Sequence, residues 1–272
     1  MIEQLAKNLV SLKKEFAKNY DGKSQMQEVI PISTSDSFPI KQQDLELLHQ
    51  FATKNPIYYN SYEQTIDNTK CIVYEGDINK YWLNSIQHGS SNAPFSPTWI
   101  MSAYVAVLLT KELGYSEIID IGSGDGRIAF CAKVLNMEAY SVELDEQLVD
   151  LQKILVTTLD FHPFCSDATT FDYSSFNLNH PVFFIGGLAQ MGGVALATGV
   201  IDKIQSHDFW KTTGWVFAGT YSQKYAPDPK NEAGWGTLIE ANKLGKLQTI
   251  SLPTVWTFHE TDETPYIFAE SL

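Results

Sequence analysis

Leu5, Leu9, Leu12 and Phe16 recur at spacings of three and four, which predicts an amphipathic helix over residues 1–20. "SQMQEVIPISTSDSFPI" is mostly polar with two prolines and reads as an extended loop. "KQQDLELLHQFATK" reads as a second helix, while "NPIYYNSYEQ" and "HGSSNAPFSP" are loop-like but aromatic. Strands and helices do not alternate in this first part. The pattern changes near residue 90. Ser96-Pro97 suits a cap followed by proline at the first helical position, and the apolar helix "TWIMSAYVAVLLTKEL" runs on to Gly114. Short apolar runs then alternate with helical ones: strand "SEIIDIG", helix "GRIAFCAKVLN", strand "EAYSVEL", helix "DEQLVDLQKILVTTL", a strand in "FHPFCSDA", strand "HPVFFIG", a glycine-weakened helix "MGGVALATGVIDKIQ" and strand "GWVFAGT". Such alternation predicts a parallel sheet covered on both faces. "KLQTISLPTVWTF" and "TPYIFAESL" are joined by a short turn, so they are expected to pair antiparallel.

Composition narrows the picture. The 272 residues carry a formal charge of −13, which argues against broad binding to nucleic acid. Five lysines between Lys7 and Lys23 are expected to form a solvated helix face. Cys71, Cys131 and Cys165 are scattered, show no zinc spacing and fit reduced thiols of a cytoplasmic protein; no metal is expected. The N-terminus has no apolar signal core, and the run Trp99–Leu109 is too short to cross a bilayer, so no membrane partner is expected.

The chemistry concentrates in "DIGSGDGR", Asp120 to Arg127, between a strand and a helix. Unpaired N–H groups at the helix start and close backbone approach at glycine suit a polar ligand. The spacing is not the dinucleotide one: a third glycine would fall at position 127, which is arginine. Asp120 and Asp125 would repel a pyrophosphate but attract a cationic amino-acid end, as in S-adenosyl-L-methionine. Glu143 ends the next strand, placed to accept from ribose hydroxyls, and Asp167-Ala168 follows the third, placed to meet an adenine. Arg127 is the sole arginine of the chain, beside eighteen lysines. Charge alone does not explain that choice, because lysine would oppose the helix dipole equally. A planar fork gripping a carboxylate does, with Asp125 or Glu143 as the expected partner; the alternative is an ordinary surface arginine.

These motifs resemble those of the class I S-adenosylmethionine-dependent methyltransferases, over about residues 94–272: "DIGSGDG" resembles their first motif, "VELD" their acidic second-strand end and "SDA" their adenine contact. "GSGDGR" preceded by "PFSPT" is similar to the small archaeal and mitochondrial protein-lysine methyltransferase group. The resemblance implies an α/β, Rossmann-like seven-strand methyltransferase sandwich with antiparallel C-terminal strands, and the residue pattern places a mainly helical N-terminal extension before it. The change of pattern near residue 90 divides the chain into residues 1–93, expected to be a cap or partner-binding extension, and residues 94–272, the cofactor-binding domain. The resemblance implies cofactor contacts from Asp120, Gly122, Ser123, Gly124, Asp125, Gly126, Glu143, Leu144, Asp167 and Ala168, with Pro97 and Thr98 in a loop closing over the cofactor. "HPVFFIGGLAQMGG" does not match the narrower group and lacks the [DNS]-P-P-[YFW] motif of nucleic-acid and glutamine N-methylases.

Methyl transfer from a sulfonium needs alignment and exclusion of water more than a general base, and the sequence names no catalytic residue. Aromatic side chains that could meet an ammonium group are Tyr58, Tyr59, Tyr62, Phe95 and Trp235, against an ordinary packing role for each. His162 and His180 read as strand-end packing. The acceptor is expected to be an amine, a protein lysine or a small molecule, and a non-catalytic binding module of the same fold stays open.

Overall fold

The computed structural model describes residues 1–86, 94–156, 159–161, 163–187, 189, 192–218, 234–254 and 263–272. In the N-terminal extension, α1 (Ile2–Asn19) buries Leu5, Leu9, Leu12 and Phe16, as their spacing dictates. β1 (Met26–Pro31) follows, then α2 (Gln42–Lys54), β2 (Tyr58–Ile66), β3 (Thr69–Gly76) and α3 (Asn79–Ile86). The three strands form an antiparallel sheet in the order β1-β3-β2. The extension therefore holds a sheet beside its helices, where "SQMQEVIPISTSDSFPI" and "NPIYYNSYEQ" read as loops. Asp67 and Asn68, with φ of 44° and 64°, make the tight two-residue turn that joins β2 to β3. β1 is buried at all six positions, so it lacks the alternation that marks a half-exposed strand.

α4 (Ile100–Glu112) is buried at ten of thirteen positions, the mark of a helix covered on all sides. It starts at Ile100 and not at the expected Ser96-Pro97 cap. No side chain caps it from Trp99; the Ile100 N–H instead donates to Glu28 Oε2 at 2.9 Å, across from β1. The orphan donor of a helix start is thus satisfied from the extension.

From there β4 (Glu117–Ile121), α5 (Arg127–Val134), β5 (Glu138–Glu143), α6 (Glu146–Leu155), β6 (Pro163–Cys165), β7 (Pro181–Ile185), α7 (Gly193–Ile204), β8 (Gly214–Ala218), α8 (Gly236–Ala241), β9 (Gly245–Pro253) and β10 (Glu263–Glu270) follow. The strands form a seven-stranded sheet in the order β6-β5-β4-β7-β8-β10-β9. β4 to β8 are parallel, and β10 runs antiparallel to both β8 and β9. The expected parallel sheet with an antiparallel tail is therefore present; Val255–Phe258 of the tail reading lie outside the described residues.

Alternate side chains of each strand serve two cores. Ile118, Val182, Phe184, Val216 and Phe268 face the core shared with α4, α5 and the extension. Ile119, Ile121, Phe183, Ile185, Trp215, Phe217 and Ile267 face the core with α7 and α8. Each fully buried aliphatic or aromatic side chain contributes about 1.5–3 kcal/mol of transfer free energy, and the first core runs without a break from α1 to β10.

Candidate functional site

The turn from β4 to α5 is built on glycine. Gly122, Gly124 and Gly126 have φ of +62°, +57° and +78°, a left-handed conformation that costs other residues roughly 1–2 kcal/mol each. A Cβ on Gly124 would lie 2.7 Å from the Phe95 ring, and one on Gly126 2.9 Å from Gln152 Cγ. Gly122 has more room: its Cβ would meet only Leu196, at 3.7 Å. Gly126 is also the N-terminal cap of α5. The buried Ser123 is held by Gln152, whose Nε2 donates to Ser123 Oγ at 2.9 Å and to the Gly124 carbonyl at 2.7 Å. Ser141 Oγ donates in turn to Gln152 Oε1 at 2.6 Å.

Glu143 meets this loop from the end of β5. Its Oε2 accepts from the Gly124 N–H at 2.8 Å and its Oε1 from the Asp145 N–H at 2.9 Å. Burial raises its pKa, and the backbone N–H groups oppose that rise. Leu144, next to it, is 41% exposed. One strand further, Asp167 is exposed; its Oδ1 accepts from the Thr169 N–H and hydroxyl at 2.8 and 2.7 Å. Ala168 is buried, and its carbonyl accepts from Tyr173 at 2.8 Å. The structure thus gathers the glycine loop and Glu143 into one hydrogen-bonded unit, with Asp167 and Ala168 beyond the end of the adjacent strand.

The two loop carboxylates do not stand open to a ligand as charge reasoning expected. Asp120 lies within β4, is 3% exposed, and accepts from the Ala129 N–H at 3.4 Å, beneath the loop. Burial pushes its carboxyl well above the ordinary range, and the nearby Glu143 and Asp125 add to the rise. Asp125 is 1% exposed and is gripped by Arg127, Nε to Oδ1 at 2.9 Å and Nη2 to Oδ2 at 2.5 Å. These two carboxylates therefore do not bar a pyrophosphate, because burial disfavours the charge on Asp120 and Arg127 pairs with Asp125.

Arg127 is buried, and so is no ordinary surface arginine. Of its two expected partners Asp125 is met and Glu143 is not. The second carboxylate is Glu28 of β1, whose Oε1 lies 2.7 Å from Nη1. Nη1 also donates to the Thr98 carbonyl, and Nη2 reaches the Tyr58 hydroxyl at 3.4 Å. Together these contacts use all five guanidinium N–H groups; lysine has three donors and no fork. Asn55 adds a further bond, Nδ2 to Asp125 Oδ2 at 2.9 Å. Pro97 is buried beside the anchored Thr98.

The other aromatic and histidine readings separate cleanly. Tyr58 is committed to Glu28, donating to Oε1 at 2.7 Å, while Tyr59 and Tyr62 are exposed on β2. Trp235 is fully buried, donates to the Ala218 carbonyl at 2.9 Å and stacks on Phe217. Phe95 lies against Gly124, and Tyr81 meets it edge-on at 6.3 Å between ring centroids. His180 stacks on Tyr115 and bonds the Gly114 carbonyl, so it packs at the amino end of β7; His162 lies outside the described residues. The lysine reading needs one correction: Lys13 is fully buried, not solvated. Glu28, Asn55 and Gln152 were missed, although Gln152 falls on the apolar stripe of α6 with Leu148, Val149, Leu151 and Leu155.

Among the described residues no His, Cys, Asp or Glu side chains group to hold a metal, and no helix is long and apolar enough to cross a membrane. No protein-family model matches the chain, and no curated protein matches it. Among solved structures it is similar to PH1948 of Pyrococcus horikoshii, described as a candidate RNA methyltransferase: 13% identity, TM-score 0.48, covering 63% of this chain and 84% of that one. It is also similar to magnesium protoporphyrin IX methyltransferase (ChlM) from Synechocystis PCC 6803, at 10% identity and TM-score 0.44, over 64% of this chain and 81% of that one. The glycopeptide N-methyltransferase MtfA gives 11% and 0.45, over 63% and 95%. At such identities and TM-scores the functional reading rests on the residues of this chain alone.

Proposed function

We propose that this chain is an S-adenosyl-L-methionine-dependent methyltransferase whose cofactor site lies at the carboxyl ends of β4, β5 and β6. The observation that carries the reading is the loop of three left-handed glycines hydrogen-bonded to Glu143, at the carboxyl ends of the strands, where open α/β folds receive ligands. The residues fit a nucleoside with an amino-acid tail. At Gly122 the backbone can be approached where no Cβ stands, with only Leu196 in range. Glu143, its oxygens steadied by two N–H groups and 9% exposed, retains acceptor capacity for a ribose diol. Asp167, with Oδ2 bearing no described bond, would accept from the adenine amino group, beside the N–H of Ala168. Gly122, Ser123, Gly124 and Gly126 would hold the methionine end, with Leu144 flanking the ribose and Pro97 and Thr98 along the cover. Asp120 and Asp125 would act from beneath, by shaping the loop.

The cofactor supplies an electrophilic methyl group on a sulfonium, and leaves as a neutral thioether. The chain has to align an acceptor and keep water out. Phe95, at the loop, and Tyr81 against it support an amine acceptor, since aromatic faces attract ammonium groups before the proton is lost. The acidic chain suits such a cation as well. A protein lysine is the instance to test first, and a small amine the next.

Calorimetry with S-adenosylmethionine and S-adenosylhomocysteine tests the site; binding of neither at millimolar concentration refutes the reading. Incubation with methyl-labelled cofactor and a cell extract, then fractionation, identifies the acceptor. Label in protein supports lysine transfer, label in small molecules redirects it, and binding without any transfer reduces the chain to a cofactor-binding module.

A further inference from the structure

We propose that Glu28, in the N-terminal extension, is a positioning residue for the glycine loop and acts through Arg127. The inference rests on the reading that this loop holds the methionine end of the cofactor. Glu28 is fully buried and each of its oxygens is used: Oε1 by Arg127 Nη1 and the Tyr58 hydroxyl, both at 2.7 Å, and Oε2 by the Ile100 N–H at 2.9 Å. One carboxylate thereby joins β1 and β2 to the start of α4 and to the first turn of α5. Arg127 passes the constraint on, to Asp125 through two bonds and to the Thr98 carbonyl. Asp125 lies between Gly124 and Gly126, so its side chain is the handle by which the loop is held from outside the sheet domain. Asn55 grips the same handle. The geometry is that of a clamp: two extension residues close on Asp125, one through the arginine and one directly.

A buried charge cluster is a costly way to glue two parts of a chain together, since apolar side chains of equal volume are often as stable or more so. What apolar packing cannot do is hold a backbone at a defined angle through directional bonds. Three left-handed glycines leave the loop with more accessible conformations than L side chains would allow there, and each must be excluded if the loop is to meet a ligand in one arrangement. The extension is thereby a part of the cofactor site, although none of its residues needs to touch the cofactor.

The test uses the full chain with Glu28→Gln, which keeps the shape and removes the charge, Glu28→Asp, which keeps the charge, and Asn55→Ala. Tyr104→Phe is the comparison: it removes a buried bond of 2.7 Å from Tyr104 to Asp44, another link between extension and domain that does not touch the loop. Amide hydrogen exchange is measured without ligand, together with urea stability and the dissociation constant for S-adenosylhomocysteine. Glu28→Gln is expected to speed exchange at Gly124 and Gly126 by ~10-fold or more beyond its effect on the sheet. It is expected to weaken S-adenosylhomocysteine binding by ~10-fold or more. Glu28→Asp recovers part of the affinity, Asn55→Ala moves both readouts the same way by less, and Tyr104→Phe moves neither beyond its stability change. Should Glu28→Gln fail to fold, Asn55→Ala decides. Loop exchange and affinity that merely follow global stability, as in Tyr104→Phe, overturn the proposal. If the unaltered chain binds no S-adenosylhomocysteine, the cofactor reading falls, while loop exchange still decides whether Glu28 governs the loop.

Discussion

Lys13→Met is expected to make the protein more stable, by an amount that depends on pH in a defined direction. The Lys13 ammonium has no exposed surface, donates to the Gln27 carbonyl at 3.3 Å, and lies 5.4 and 5.5 Å from the ring centroids of Phe16 and Trp99. Burial lowers its pKa from 10.5 to about 7, against the opposing pull of Glu28. At about 1.4 kcal/mol per pH unit, that fall places roughly 4–5 kcal/mol against the charged form in the folded chain. The unfolded chain binds this proton more tightly, so stability is lost as pH falls from 10.5 through 7, and the loss is complete below 7. Methionine removes the penalty but also the bond to Gln27 and the ring contacts, together worth about 1–2 kcal/mol. The variant should therefore exceed the parent by roughly 2–4 kcal/mol at pH 6, and the gap should close by about pH 10. Urea unfolding followed by tryptophan fluorescence at pH 6, 8 and 10 measures it. A gap that is constant with pH, or that widens toward pH 10, refutes the reasoning.

Arg127→Lys should cost about 2–4 kcal/mol in urea unfolding, because three donors replace five and Asp125 and Glu28 lose their shared partner; an unchanged midpoint and unchanged cofactor-analogue affinity would contradict the clamp geometry. Gly124→Ala should weaken S-adenosylhomocysteine binding by more than ~10-fold, since the new methyl group meets Phe95, and Phe95→Leu in the same chain should restore part of it. Gly122→Ala, with only Leu196 in range, should cost less stability than Gly124→Ala but weaken S-adenosylhomocysteine binding at least as much, because its methyl group stands where the cofactor approaches. Asp120→Asn should raise the melting temperature, and more at pH 8 than at pH 4.5. The raised carboxyl pKa gives the folded parent stability at low pH that is lost as pH rises through the folded value; a gain that shrinks with pH would contradict the burial of Asp120.

β4, β7 and β8 could be read from sequence because each is a short, mostly apolar run buried on both faces, as "PVFFI" of β7 is at all five positions. Gly122, Gly124 and Gly126 marked the loop for an equally local reason, the left-handed backbone that L side chains resist. β1 was not legible. "MQEVIP" carries Gln27 and Glu28 between apolar neighbours, and both are buried because the fold satisfies them: Gln27 Nε2 donates to the Ser24 carbonyl at 2.8 Å, and Glu28 meets Arg127. No local pattern announces a partner a hundred residues away. Arg127 signalled by its type that it grips a carboxylate, and Asp125 was within reach of that logic, but Glu28 was not. Lys13 was misread for a different reason. It shares the helical face of Leu9 and Phe16, so periodicity had placed it inside, and its charge was allowed to overrule the spacing.

α1 packs against β9, and Lys14 of α1 pairs with Glu263 of β10, so the first helix completes its environment only with strands synthesised last. Contacts that join distant parts of a chain form late and slowly, because the intervening loop must close before they contribute. A nascent chain therefore emerges from the ribosome with α1 bare on the side that β9 will cover, and it stays so until β9 and β10 are made. That interval is when the chain is most exposed to aggregation and most in need of a chaperone.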